Sequence, residues 1–317
     1  MSRKIALFIS TVALLLPAML PVAQAESATG NAHGGPGLFP AQLLAGQTID
    51  AGTVSIWNSQ KKLKVQIVPS DGWKIAETHI YVGYDGLDGL DDPLPLKKGN
   101  PELGKFPYKK EYANPAPVHT LTLDLKEDLG FSWGSPYHHL RVPTFAVHAD
   151  LVTLDEFGEV VAEEGAWAYF DGVATEFEGS QWGWSLTYQL AHPMRGHFID
   201  APVIGVSYHG PTQEGVTADA SADGGGGFLF FPGEEIEFSV GEVVLGTAEA
   251  AKKVSPLDLF SGADINDPRA VNVARLLQSL DNDHSDGKIN IRPVVVDCLD
   301  IAKENLGIVD VDFASAE

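Results

Sequence analysis

Residues 77–82, Glu77-Thr78-His79-Ile80-Tyr81-Val82, and residues 145–151, Phe145-Ala146-Val147-His148-Ala149-Asp150-Leu151, decide how this chain reads. Side chains of a β-strand point alternately to opposite faces. The first stretch therefore sets Glu77, His79 and Tyr81 on one face and Thr78, Ile80 and Val82 on the other. The second sets His148 and Asp150 against Phe145, Val147 and Leu151. Each strand then has one apolar face for a core and one face carrying a histidine and a carboxylate. If the strands are neighbours, His79 and His148 can share one metal ion, with Glu77 or Asp150 as a third ligand or as the acceptor that orients a ring. The alternative is that each histidine simply hydrogen-bonds a carboxylate within the sheet.

The surrounding sequence has the same character. Thr53–Trp57, Leu63–Val68, Thr78–Val82, Thr120–Leu125 and Thr144–Val152 are enriched in β-formers and separated by turn residues. Connections such as GYDGLDGLDDPLPLKKGNP (83–101) are rich in Gly, Pro and Asp, and residues 40–200 show no helical periodicity. A second unit begins near Pro202. There VIGVSYHG (203–210) and GGGGFLFFPGEEIEFSVGEVVLG (224–246) imply four further strands. Asn266 or Asp267 can cap a helix with Pro268 at its first position, and Val271, Ala274, Leu277 and Leu280 lie at helical spacing. The acidic loop DNDHSDGKINI (281–291) and a short tail follow. The expected fold class is all-β, with a β-sandwich-like domain over 41–199 and a smaller β domain with a C-terminal helix over 200–317.

The amino terminus reads as an export signal. Arg3 and Lys4 precede an apolar run from Ile5 to Leu16, and Ala23-Gln24-Ala25 offers a small-x-small cleavage site. Residues 1–25 are thus a signal peptide and 26–40, ESATGNAHGGPGLFP, a flexible lead-in, giving a secreted or periplasmic protein. Loss of Arg3 and Lys4 takes the net charge from −22 to −24. That charge disfavours nucleic acid and anionic lipid. No stretch implies membrane insertion, and the single cysteine, Cys298, makes no internal disulfide.

Several enzyme classes are excluded by inspection. The chain has no HExxH helix, no phosphate-binding GxxxxGK[ST] loop and no GxGxxG opening a helix. Gly205-Val206-Ser207-Tyr208-His209-Gly210 has one residue too many for a nucleophile elbow. No catalytic reaction is expected. Asp281, Asp283 and Asp286 form a calcium candidate, since alternating carboxylates beside a glycine suit a hard cation, although the spacing departs from the EF-hand. His192, Met194 and His197 could form a second soft-metal site or a polar linker. Trp167, Trp182 and Trp184 read as core or as a carbohydrate platform.

ETHIYVG (77–83), KKGNPELGKFPY (97–108), AVHADL (146–151), EEGAWAYF (163–170) and FEGSQWGWSLTYQL (177–190), in this order, resemble the secreted copper-binding proteins of methane-oxidising bacteria, of the MopE and CorA type. The likeness spans residues 45–190. In that group two histidines from separate segments and a tryptophan oxidised to kynurenine hold copper, and His79 and His148 match the histidines. This sequence departs from the pattern before the first histidine, where it has Glu77 and its nearest tryptophan is Trp73. A His-His-carboxylate copper site is what the resemblance implies here. Residues 224–246, with VSPLDLF (254–260) and VNVARLLQSLDND (271–283), are similar to a recurrent β-module of bacterial surface proteins. They imply the alternative function, a surface interaction or adhesion module with structural histidines, bound calcium and a cell-surface or extracellular partner. Exported protein is expected to begin at Glu26; amino-terminal sequencing that returned an intact Met1 from material outside the cytoplasm would remove the leader reading.

Overall fold

The computed structural model describes residues 39–70, 72–84, 93–134, 141–218 and 224–315. The expected signal peptide, most of the expected lead-in, part of the 83–101 connection and His138–His139 lie outside them. The fold is mostly β, as the sequence patterning implies, and carries two helices where one was expected.

The first lobe is built on one antiparallel sheet. From edge to edge its main strands run Tyr108–Ala116, Trp73–Gly83, Thr144–Leu154, Val160–Tyr169, Phe39–Ala45, Ile49–Asn58, Lys62–Pro69 and His119–Asp124. The two edge strands are consecutive in sequence and separated only by Pro117 and Val118, so the sheet must curl until its edges meet. Tyr112 Oη and His119 Nδ1, 2.7 Å apart, join those edges. Trp184–Thr187 pairs with Phe145 and Thr144, and Thr175–Glu176 extends it outward. The concave face encloses Leu43, Val54, Ile56, Leu63, Ile67, Ile75, Ile80, Phe145, Val147 and Leu151, all fully buried. Burial of such side chains contributes roughly 1.5–3 kcal/mol each. Phe39–Ala45 begins two residues earlier than the expected lead-in allows, because Phe39 and Ala41 alternate into this core.

Part of the convex face is covered too. Tyr81, Leu94, Phe106, Ala146, Trp167 and Phe177 form a small separate core, with Leu103, Trp182 and Trp184 at its margin. Trp167 is therefore core and not a sugar platform.

A second hydrophobic centre gathers Phe198, Val206, Phe228, Phe238, Leu245, Val273 and Leu277. Its strands form a four-stranded sheet of Glu214–Val216, Ser207–His209, Glu235–Val240 and Val243–Glu249, and a three-stranded sheet of Gly227–Phe230, Met194–Phe198 and Lys253–Val254. Helix α1 (Pro268–Ser279) is capped by Asp267, which accepts the Arg269 amide, as the sequence implied. Its buried side chains are Ala270, Val273 and Leu277, so the face is turned from the expected Val271–Ala274 set. The helix contains two overlapping apolar stripes, and packing selects the one that Leu276 and Leu280 border. Residues 293–306, expected as tail, form helix α2 (Pro293–Leu306). Three consecutive valines disguise it, yet Pro293 in the first turn and left-handed Gly307 (φ 65°) after it mark its ends. No helix among the described residues is long and apolar enough to cross a membrane.

The two lobes meet through Asn58, which is fully buried. Its side-chain oxygen accepts from Tyr188 Oη (3.0 Å) and the Ala191 amide (3.1 Å), and its amide nitrogen donates to the carbonyls of Ser59 and Ala191, both at 2.8 Å. Its carbonyl accepts from Gln213 Nε2 at 2.9 Å. Each buried group left unpaired costs about 1–3 kcal/mol. Asn58→Ala is therefore expected to lower unfolding free energy by roughly 3 kcal/mol, read from denaturant midpoints, whereas a loss under about 1 kcal/mol would show that water replaces the network.

Candidate metal centre

Strand Trp73–Gly83 pairs antiparallel with strand Thr144–Leu154, and the register sets His79 directly opposite His148, Glu77 opposite Asp150 and Tyr81 opposite Ala146. Strand Val160–Tyr169 flanks the second of these, with Trp167 beside His148 and Gly165 beside Asp150. A β-bulge between Ile75 and Glu77 makes the arrangement possible. Ile75 faces the main core, and strict alternation from it would turn Glu77 and His79 inward as well. The extra residue, Ala76, resets the alternation so that the histidine faces outward while Thr78, Ile80 and Val82 stay inside.

The two imidazole rings lie 5.8 Å apart, centre to centre, and are inclined at 51°. His79 Nε2 sits 3.1 Å from Glu77 Oε1, which leaves Nδ1 turned toward Asp150, 3.9 Å from Oδ2. His148 Nε2 is 4.0 Å from Asp150 Oδ1. Donor atoms of His79, His148 and Asp150 all fall within 4.8 Å of one another, the one such grouping of three His, Cys, Asp or Glu among the described residues. Three buried side-chain polar atoms in the described residues have no hydrogen-bond partner: His79 Nδ1, His148 Nδ1 and the neighbouring Thr78 Oγ1. An ion with bonds of 2.0–2.2 Å holds tetrahedral ligands about 3.4 Å apart, so side-chain rotations of about 1 Å would close the set.

The surroundings explain the electrostatics. His148 is 6% exposed and meets Trp167 edge to face at 4.8 Å. Trp167 is in turn backed by Phe177 at 5.1 Å and pressed by Gly183, where a Cβ would fall 2.6 Å from the indole. A Cβ on Gly165 would fall 3.2 Å from His148 Nε2, so glycine there leaves the ring room. Burial, and after it the charge of His79, hold the His148 pKa down at about 3. Burial also raises the Asp150 carboxyl above the ordinary carboxylate range, with the charges of Glu77 and Glu163 adding to the rise and His79 opposing it.

The structure thus brings His79, His148 and Asp150 together and sets Glu77 beside the far nitrogen of His79. Trp167 is the residue that sequence reasoning left out of the site. Its position two residues after Gly165 in a pattern of small and aromatic residues was visible, but the pairing that brings it to His148 was not. Trp73 packs against the main core. The other candidates do not converge. Asp281 accepts from the amides of Asn290 (2.9 Å) and Asp283, Asp283 from the amide and hydroxyl of Ser285, and Asp286 from the Lys288 amide. Those carboxylates are thus occupied in holding their own loop. His192 meets Trp133 edge to face, and His197 Nδ1 lies 2.9 Å from the Gly225 carbonyl. No family model, curated protein or solved structure matches this chain.

His148 ties the site to stability. In the unfolded chain it takes a proton near pH 6.5, whereas in the fold it stays neutral down to about pH 3. Below pH 6.5 the unfolded state binds the extra proton, so stability falls as pH falls. For one such group the loss is about 1 kcal/mol between pH 7 and 5.5, a window above the carboxylate range. His148→Asn is expected to flatten the pH dependence of the urea midpoint by that amount, and an unchanged slope would place the acid sensitivity elsewhere.

Proposed function

We propose that this protein is an exported binder of a transition-metal ion, copper by preference, held by His79, His148 and Asp150 with Glu77 orienting His79. The observation that carries the reading is two imidazoles facing each other across adjacent strands beside a carboxylate, each with a buried Nδ1 that has no partner. Burying polar nitrogen without a partner costs free energy, and a bound ion would recover it. Neutral imidazole is the state a metal needs, and burial keeps His148 in that state far below the ordinary histidine range. The Glu77–His79 contact has the form of a carboxylate fixing a ligand's tautomer.

Two imidazoles and a carboxylate suit borderline ions, among which first-row affinities peak at copper(II). The resemblance read from residues 45–190 to secreted copper-binding proteins points to the same ion. In purified protein titrated with Cu2+ and Zn2+, with bound metal counted by elemental analysis, one tight site is expected, with copper preferred. His79→Ala and His148→Ala should each weaken it by more than about 100-fold, and Glu77→Gln by about 10-fold. Undiminished copper uptake in the His79→Ala/His148→Ala double variant would sink the assignment.

A further inference from the structure

The convex face differs on the two sides of the histidine pair. Toward Tyr81 and Ala146 the convex face is closed by Phe106, Trp167 and Phe177. Toward Glu77 and Asp150 it opens into a cleft of ≈ 430 Å³ whose lining includes Glu77, Glu111, Asp150, Glu163, Glu164 and Gly165. The lining carries five carboxylates and no basic side chain, spread over four adjacent strands. Of the lysines before Glu111 on its strand, Lys109, paired opposite His79, donates from Nζ to the Gly104 carbonyl at 2.8 Å, and Lys110 lies 5.7 Å from the ring centre of Tyr112, which borders the cleft. Behind Gly165 and Asp150 of that lining lies His148, more than nine-tenths buried, with Nε2 turned to those two residues and Nδ1 without a partner.

Glu111, Glu163 and Glu164 are exposed and do not converge on one another as the three candidate ligands do. They are arranged to attract an ion and not to chelate it. Clefts lined by one sign of charge focus the field and raise capture rates by 10- to 1,000-fold.

We propose that this cleft is the entry mouth of the metal centre, in which Glu111, Glu163 and Glu164 steer a free, hydrated cation to Asp150 and on to the histidines. The proposal rests on the metal-binding reading and adds the form of the substrate. The mouth admits a positively charged aqua ion and repels metal carried as an anionic chelate. Delivery by a docking protein would require that protein's contact surface to be basic.

The test is stopped-flow mixing of the full chain with Cu2+, read by quenching of tryptophan emission, since Trp167 lies 4.8 Å from His148. Glu111→Gln/Glu163→Gln is expected to lower the association rate about tenfold at low salt, to lose most of that effect at about 0.5 M salt, and to leave the dissociation rate unchanged. Glu127→Gln/Glu304→Gln, which removes the same charge from exposed positions outside the cleft, should leave both rates as they were. Equal association rates in the two double variants would overturn the steering role. A faster dissociation with unchanged association would overturn it also, by making these residues ligands. Absence of any copper-dependent quenching in the unsubstituted protein would instead defeat the metal-binding reading on which the proposal stands.

Discussion

The β-bulge at Ala76 is the constraint on which the site depends. A strand has two faces and a strict period of two, so a sequence cannot place Ile75 in the core and His79 on the outer face without an extra residue between them. The bulge supplies that residue at the point where strand Trp73–Gly83 crosses Leu151. From there the register runs without a slip through Glu77–Asp150, His79–His148 and Tyr81–Ala146. The main core on the other side fixes that register, because Thr78, Ile80 and Val82 must meet Ala149, Val147 and Phe145. Core packing thus positions the candidate ligands, and any shift by one residue would exchange the histidines for apolar side chains.

This division explains what was legible in the sequence. Alternation over six or seven residues was enough to put His79 with Glu77, and His148 with Asp150, on single faces, because the period of a strand is a local property. Adjacency of the two strands was an assumption that only the long-range ladder resolves. Trp167 escaped for the same reason. Its strand opens with the exposed run Val160 to Glu164 and becomes apolar only from Ala166, so the local pattern gave no sign of a central position. Helix α2 was hidden by Val294, Val295 and Val296, whose branched side chains favour strands, while the loop between the helices admits both a calcium reading and that of a solvated helix-terminating loop, because short carboxylates that cap backbone amides and short carboxylates that bind ions occur at similar spacings.

The second lobe supplies no candidate ligand: His79, His148, Asp150 and Glu77 all come from the curled sheet. Its link to that sheet is polar, through Asn58, Gln213 and Thr212, and Thr212 Oγ1 donates to the buried Glu234 at 2.5 Å. Hydrogen-bonded joints of this kind specify a single relative placement, since every alternative leaves several buried groups unpaired. The Asn58 joint lies on strand Ile49–Asn58, whereas the histidines lie on Trp73–Gly83 and Thr144–Leu154. The first lobe can therefore hold its site through its own core.

The two sides of the histidine pair act oppositely on an approaching ion. The aromatic cluster around Trp167 removes water from His148, and low polarity there disfavours imidazolium while leaving the neutral lone pair free. On the other side burial, with the charges of Glu77 and Glu163 adding to it, raises the Asp150 carboxyl above the ordinary carboxylate range while burial depresses His148. A proton relieves only one of these penalties at a time, because charging the imidazole deepens its desolvation cost even as it satisfies the carboxylates. A metal ion relieves both, since it binds the neutral ring and neutralises the carboxylate together. That asymmetry is a physical reason for a buried histidine pair to stand at the edge of an acidic cleft, and it favours a divalent cation over protons as the charge that completes the site.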